Sequence, residues 1–298
     1  MAKMHPRAEA NRSADGTRAL LQALARHELV LYYQPQVALE DGRILGVEAL
    51  LRWQHPKHGA ILPETFIALA EKTGLIMPIG EWVLRKACTQ MRAWHECGFT
   101  DLRVAINLSG RQLERPGLVK MVRDILVETG LAPHALELEI TETHLIRDHG
   151  TDEAVAAMEE LQTLGVAFVI DDFGTGYASL TYLKRLPIQA LKIDKSFVRD
   201  LGSSPHDAVI VCATIAMTCG LGIRVIAEGV ETAAQATFLR THGCESAQGH
   251  YFAKPESAKD MTERLRRQAL ASGQPSPPLP PAADRINGIP PIRTYPNT

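Results

Sequence analysis

Glu48, Asn107, Glu139, Asp171, Asp172, Lys192 and Glu228 each stand within or at the end of a short apolar or β-branched run. A single carboxylate in such a place ordinarily caps the following helix or pairs with a surface lysine. Six successive runs that deliver Glu, Asn, Glu, Asp-Asp, Lys and Glu to one rim call for another explanation. Carboxylates brought together repel by several kcal/mol unless cations neutralise them. Oxygen ligands with one amide, and without His or Cys partners, suit Mg²⁺ or Mn²⁺ rather than Zn²⁺. Adjacent Asp171 and Asp172 are expected on opposite sides of an extended chain, so that one bridges two ions while the other holds only the second. Two hard cations about 3.5–4 Å apart serve in-line displacement at phosphorus, and a lysine among them orients water and offsets phosphate charge. The residues alone point to a metal-dependent phosphoester hydrolase.

The elements that must position these groups follow from the hydrophobic pattern. Strands are expected over Leu29–Val37, Ile44–Trp53, Leu102–Leu108, Ala135–Ile140, Val166–Asp171, Ala190–Ile193, Ile223–Ala227 and, briefly, Glu245–Gln248. Helical patterns fill the gaps at Pro63–Lys72, Pro78–Cys97, Gly117–Glu128, Asp152–Leu164, Pro205–Cys219 and Thr232–His242. Eight strands alternating with helices predict an α/β fold, a (β/α)8 TIM-like barrel with chemistry at the strand ends. One departure is expected. Asp41-Gly42 between the first two runs is a hairpin signal, so the first strand should be antiparallel to the second in a modified barrel. The period-2 rule puts Glu48 and Arg52 on one face of the second strand, and Glu137 and Glu139 together on one face of the fourth.

Composition bounds the reading. The 298 residues carry 32 Lys+Arg against 34 Asp+Glu, a net charge of −2, so no global positive field draws in a nucleic-acid polymer. Apolar content of 45% with 22% charged residues is that of a chain with a packed core. The charge-free stretch Ala208–Ile223 is too short to span a bilayer. Cys88, Cys97, Cys212, Cys219 and Cys244 are scattered without a C-x-x-C pair, which argues for a reducing compartment. Met1–Leu20 is expected to be a linker, a disordered stub or the end of a helix arriving from upstream, with no signal peptide. Residues 271–298 hold eight of the 18 prolines and read as a disordered tail, leaving 21–270 as the folded domain.

Glu48-Ala-Leu-Leu-Arg52 resembles the signature of the EAL domain family, and the likeness runs from about Leu21 to Pro255. It includes Tyr33-Gln-Pro-Gln36, Asn107-Leu-Ser109, Leu138-Glu-Ile-Thr-Glu142, Asp171-Asp-Phe-Gly-Thr-Gly-Tyr177, Leu191-Lys-Ile-Asp194, Ala227-Glu-Gly-Val-Glu231 and Gln248-Gly249. The resemblance implies a cytoplasmic phosphodiesterase that opens cyclic di-GMP to linear 5'-pGpG with two Mg²⁺ or Mn²⁺ ions. By the same resemblance, Glu48, Asn107, Glu139 and Asp171 hold the first ion, Asp171 bridges to the second and Asp172 is its further ligand. Lys192 and Glu228 flank the nucleophilic water, Gln34 and Arg52 contact the substrate, and Glu231 and Gln248 line the site. Glu142 anchors the Asp172–Tyr177 loop, which in the family couples metal binding to dimerisation and so implies a homodimer. An upstream sensory or GGDEF-like region in a longer, even membrane-attached, parent is implied as well. Ala178 and His250-Tyr251 depart from the usual family residues without removing a ligand.

Three other readings compete. A catalytically silent receptor would bind cyclic di-GMP without turning it over. A Schiff-base lyase would use Lys192, but needs that lysine deprotonated, against the pull of neighbouring carboxylates. His206-Asp207 is too isolated for an HD-type phosphohydrolase, which needs further His and Asp ligands.

Overall fold

A computed structural model describes residues 6–147, 152–176, 183, 185–202 and 204–271. The proline-rich tail lies outside these from residue 272 onward. Nine strands form one sheet: β1 (Leu29–Ala38), β2 (Ile44–His55), β3 (Gly59–Ile61), β4 (Arg103–Asn107), β5 (Leu136–Thr141), β6 (Ala167–Phe173), β7 (Ala190–Ile193), β8 (Arg224–Ala227) and β9 (Ser246–Ala247). Eight of them close in the order β1-β2-β4-β5-β6-β7-β8-β9, with β9 returning to β1. From β2 to β9 the neighbours around the ring are parallel. β1 runs antiparallel to both β2 and β9, as the Asp-Gly signal requires. At that turn Gly42 takes φ +75° and the Arg43 amide donates to Asp41 Oδ1 at 2.9 Å. β3 was not anticipated; it extends β2 beyond the barrel as an antiparallel flap.

The helices are α1 (Pro6–Ala25), α2 (Pro63–Thr73), α3 (Ile76–Glu96), α4 (Gly110–Leu113), α5 (Leu118–Thr129), α6 (Glu142–Arg147), α7 (Asp152–Thr163), α8 (Lys195–Arg199), α9 (Pro205–Leu221), α10 (Ala233–Thr241) and α11 (Ala258–Ala271). Their apolar stripes cover the outward strand faces. In α3 the buried Ile79, Val83, Ala87, Met91 and Trp94 recur at helical spacing. Trp94 meets Tyr33 of β1 edge-on at 5.0 Å, and its indole N–H donates to Thr262 Oγ1 of α11 at 2.8 Å. α3 and α11 thus cover the outer face of β1.

Inside the barrel β5 alternates strictly. Leu136, Leu138 and Ile140 of β5 face outward to the helices, while Glu137 and Glu139 point inward, both 1% exposed. Glu137 sits in the lower layer, 3.1 Å from Arg103 Nε and 2.7 Å from Arg224 Nη2. Glu139 lies one layer higher, toward the strand ends.

The N-terminal expectation needs correction. A disordered stub or linker over 1–20 does not fit a helix that runs from Pro6 through the 20/21 boundary, with Leu20, Ala23 and Leu24 buried. Of the alternatives, the end of a helix is what the structure holds. The short helices α6 and α8 after β5 and β7 were also unread, as was α11. The last strand shrinks from four expected residues to Ser246–Ala247.

Candidate active site

The strand ends converge on Lys192. It sits in the middle of β7, where all four residues are buried, and its side chain is fully enclosed. Its Nζ lies 3.2 Å from Glu48 Oε2 (β2), 2.9 Å from Glu139 Oε2 (β5), 3.4 Å from Asp171 Oδ1 (β6) and 2.7 Å from Glu228 Oε1. Glu228 follows directly on β8, its amide bonded to the Ile193 carbonyl. Asn107 closes β4 and donates through Nδ2 to Glu48 Oε1 at 2.8 Å. Gln248, one residue beyond β9, donates through Nε2 to Glu48 Oε2 (2.7 Å) and Glu228 Oε1 (3.0 Å). Seven side chains from successive strands therefore make one network.

Two glycines let the loops reach this point. Gly229, after Glu228, has φ +66°, and a Cβ there would meet Lys195 Cβ at 2.4 Å. At Gly249 a Cβ would fall 2.1 Å from the Val230 carbonyl oxygen, so only glycine lets the strand carrying Gln248 pass the loop after β8.

The Asp171-Asp172 pair departs from simple alternation. The β6–β7 register shifts between Ile170 and Phe173, and Asp172 takes the left-handed conformation with φ +56°. This bulge turns both carboxylates toward one place instead of opposite sides. Oxygens of Asp171, Asp172 and Glu228 lie within 4.8 Å of one another. A left-handed aspartate in a strand is strained, and such strain concentrates at functional positions.

Asp194 is a member of the cluster that sequence reasoning passed over. It is buried, caps α8 by accepting the Ser196 amide at 2.9 Å, and its carboxylate adds to the upward pKa shift of Asp172. The signal was present in Lys192-Ile-Asp194, since residues two apart share a strand face. The loop after β6 is tied down by Glu142, the first residue of α6. Glu142 is 2% exposed and its Oε2 accepts the amides of Gly174 (2.8 Å) and Gly176 (3.2 Å). Ala178 and Tyr177 of that loop lie outside the described residues.

So many carboxylates in one enclosed space shift each other's protonation. Burial raises Glu139 well above the usual carboxylate range, with Glu48 and Asp171 adding to it. Burial likewise pushes Glu228 up to about 8, against the pull of Lys192. For Asp172, burial and the Asp171 charge raise the pKa to about 6. Burial opposes the charge on Glu48 too, but Lys192 and the Gln248 and Asn107 donors outweigh it and hold Glu48 below its ordinary value. Lys192 loses solvation yet is held well above its ordinary value by Asp171, Glu139, Glu228 and Glu48. It is a fixed ammonium, which removes the ground for a Schiff-base role.

The donor set fits hard divalent cations. Every candidate ligand is an oxygen, and the buried Glu139 Oε1 and Gln248 Oε1 have no hydrogen-bond partner. Unpaired buried acceptors in an acidic site are what an oxygen-seeking Mg²⁺ or Mn²⁺ would satisfy.

The remaining expected residues sit outside the network. Gln34 is buried on β1 opposite Glu48 and donates to the Ala253 carbonyl at 3.1 Å. Arg52 donates to the Leu51 carbonyl at 2.8 Å and lines a rim pocket of about 260 Å³ with Tyr32, Gln54, His250 and Lys254. Glu231 is exposed where the capping box of α10 begins, its amide donating to Gln235 Oε1.

Comparison with known proteins agrees with the geometry. The EAL domain family pattern matches residues 17–255. The chain is 50% identical over 242 residues to the bifunctional diguanylate cyclase/cyclic di-GMP phosphodiesterase MucR of Pseudomonas aeruginosa, covering 81% of this chain and 35% of that protein. It is 46% identical over 256 residues to the cyclic di-GMP phosphodiesterase NbdA of the same organism, covering 86% of this chain and 32% of NbdA. The chain thus spans about a third of the length of these relatives. Among solved structures, a MucR phosphodiesterase in complex with c-di-GMP superposes with a TM-score of 0.80 at 49% identity, over 83% of this chain and 99% of that one. The strand-end carboxylates, the buried lysine and the extent of the match together make this chain a member of the EAL domain family.

Proposed function

We propose that this chain hydrolyses cyclic di-GMP to linear 5'-pGpG by a two-metal mechanism. The observation that carries the reading is the enclosure of Lys192 by Glu48, Glu139, Asp171 and Glu228 beside the Asp171-Asp172-Glu228 oxygen cluster. MucR and NbdA, named for this activity, support it. A charged lysine and a complete acidic set favour an enzyme over a silent receptor.

Glu48, Asn107, Glu139 and Asp171 are the residues that would hold a first Mg²⁺ or Mn²⁺, with Asp171 and Asp172 holding a second. Such a pair supplies Lewis-acid stabilisation of the attacking and leaving oxygens. The chain's own groups do the rest. Lys192, permanently charged, donates toward the water and fixes its position between the carboxylates. Ionised Glu228, 2.7 Å from Lys192 Nζ, would accept the proton that water gives up. Gln248 holds Glu48 and Glu228 in register through one amide. Attack at phosphorus forms a bond to the water oxygen and breaks the P–O3' bond, and O3' takes up a proton from solvent, to which Glu228 returns the one it accepted. Arg52 and Gln34 bind the dinucleotide, and the basic pocket shared by Arg52, His250 and Lys254 suits its phosphates. Glu231 lines the mouth. Glu142 ties the loop after β6 to this arrangement.

We further infer a homodimer within a longer cytoplasmic protein carrying an upstream sensory or GGDEF-like domain. The apolar, exposed Val209, Ile210 and Leu221 on α9 offer a face for the second copy. No helix among the described residues is long and apolar enough to cross a membrane.

Incubating the purified protein with cyclic di-GMP and Mg²⁺ or Mn²⁺, then separating the products by chromatography, tests the proposal. Binding retained without pGpG at high enzyme concentration would establish the silent receptor instead.

A further inference from the structure

Arg52 lies on a weakly held piece of β2. The parallel pairing of β2 with β4 covers only Gly46–Ala49, and the pairing with β3 begins at Trp53. Between them, Leu50–Arg52 is paired on the β1 side alone, Arg52 opposite Val30. Besides the β1 ladder, the support for the Arg52 end of the strand comes from the residues just beyond it.

Those residues are clamped by Glu28. The indole N–H of Trp53 donates to Glu28 Oε2 at 3.0 Å, and the Gln54 amide donates to the Glu28 carbonyl at 2.7 Å. Trp53 is buried on the face of β2 opposite Arg52, edge-on to Phe66 of α2 at 5.7 Å. An indole bonded to a carboxylate is a charge-assisted contact with a defined direction, so it fixes ring orientation as well as depth. Glu28 in turn follows α1 at a fixed corner, since His27 takes the left-handed φ of +59°. α1 and α2 pack tightly, a Cβ at Gly16 falling 2.8 Å from Leu69.

We infer that Glu28 is a positioning residue for substrate binding, acting through Trp53 on Arg52, and that it couples the C-terminal end of α1 to the substrate pocket. The inference rests on the cyclic di-GMP reading of the site. Any displacement of α1 relative to the barrel would be felt at Arg52 through Glu28, by its carboxylate on the Trp53 indole and its carbonyl on the Gln54 amide. The metal-ligating network would not be disturbed by it, because Glu48, its member on β2, lies in the Gly46–Ala49 stretch that is paired on both sides.

The test compares Glu28→Leu, which removes the acceptor, with Glu28→Gln, which keeps an oxygen acceptor. Glu28→Leu should raise KM for cyclic di-GMP about tenfold, the scale of one lost charge-assisted hydrogen bond, with kcat within about twofold. Glu28→Gln should restore most of the affinity. In an Arg52→Ala background, Glu28→Leu should add no further loss, because the residue it positions is gone. The Trp53 indole N–H resonance, assigned with Trp53→Phe, should move in Glu28→Leu. Unchanged KM, a fall in kcat equal to the rise in KM, or additive losses in the Arg52→Ala background would overturn the inference. Unmutated protein that neither binds nor hydrolyses cyclic di-GMP would instead refute the functional reading, and this inference with it.

Discussion

Lys192 Nζ stands 2.7 Å from Glu228 Oε1, an ammonium and a carboxyl group delivered by neighbouring parallel strands into a space closed to solvent on the lysine side. Three further carboxylates share the same ammonium. This one cation is the internal countercharge of the site, and removing it leaves buried charge without compensation. Lys192→Met should cost about 3–5 kcal/mol of stability, the scale of breaking a buried pair, unless the carboxylates take up protons. The loss, measured by urea unfolding in chelator, should therefore be smaller at pH 5.5 than at pH 8. Turnover should vanish at either pH.

The two layers of the barrel interior should respond differently. Asp171→Asn removes charge from the oxygen cluster and should lower turnover by roughly 10³-fold, the scale of lost electrostatic stabilisation at a reacting centre. Glu137→Gln weakens the contacts to Arg103 and Arg224 in the lower layer. It should cost about 2 kcal/mol of stability and leave kcat within a few-fold. Comparing kcat with urea midpoints for the two variants separates the layers, and equal effects on kcat would contradict the assignment.

Protonation gives a stability profile. Glu228 titrates at about 8 in the fold against an ordinary 4.5, and Asp172 at about 6 against 3.8. A raised carboxyl pKa means the folded state holds its proton more tightly. That stability is complete below the ordinary value and is lost as pH rises through the folded one. Glu139 has the same sign. The raised Lys192 is charged in both states below its ordinary 10.5, so its contribution stays level in this window, and the lowered Glu48 matters only under pH 4.5. Thermal unfolding in chelator should show Tm falling from pH 5.5 to pH 8. Added Mn²⁺ should raise Tm more at pH 8, where it competes with fewer protons.

The anchor of the loop after β6 offers a third contrast. Glu142→Ala frees the amides of Gly174 and Gly176. The Mn²⁺ concentration for half-maximal activity should rise roughly 10- to 100-fold, as when an outer support of a metal ligand is lost. Saturating Mn²⁺ should recover much of the rate. A metal titration of activity checks this, and an unchanged midpoint would separate Glu142 from the cluster.

Much of this arrangement was legible in the residues because it follows from short-range rules. Asp41-Gly42 announced the antiparallel β1, and period-2 alternation put Glu139 inside β5. Alternation failed at Asp171-Asp172 because the left-handed turn at Asp172 depends on register across β6 and β7, which no local pattern records. The helix α1 was legible only as one of three alternatives because its sequence before Leu20 is strongly polar, and the buried Leu20, Ala23 and Leu24 come late in it. Two-residue β9 is held by its neighbours rather than by its own propensity. Asp194 was in plain view two residues after Lys192, but its role needs the contact with Asp172, which only the fold supplies.

The most direct test of the account is product analysis of cyclic di-GMP incubated with the protein in Mg²⁺ or Mn²⁺ and, in parallel, in excess chelator. Linear 5'-pGpG should appear with either cation, be absent in chelator and form roughly 10³-fold more slowly with Asp171→Asn. Full binding of cyclic di-GMP with no pGpG under any of these conditions, or turnover that persists in chelator, would contradict the account.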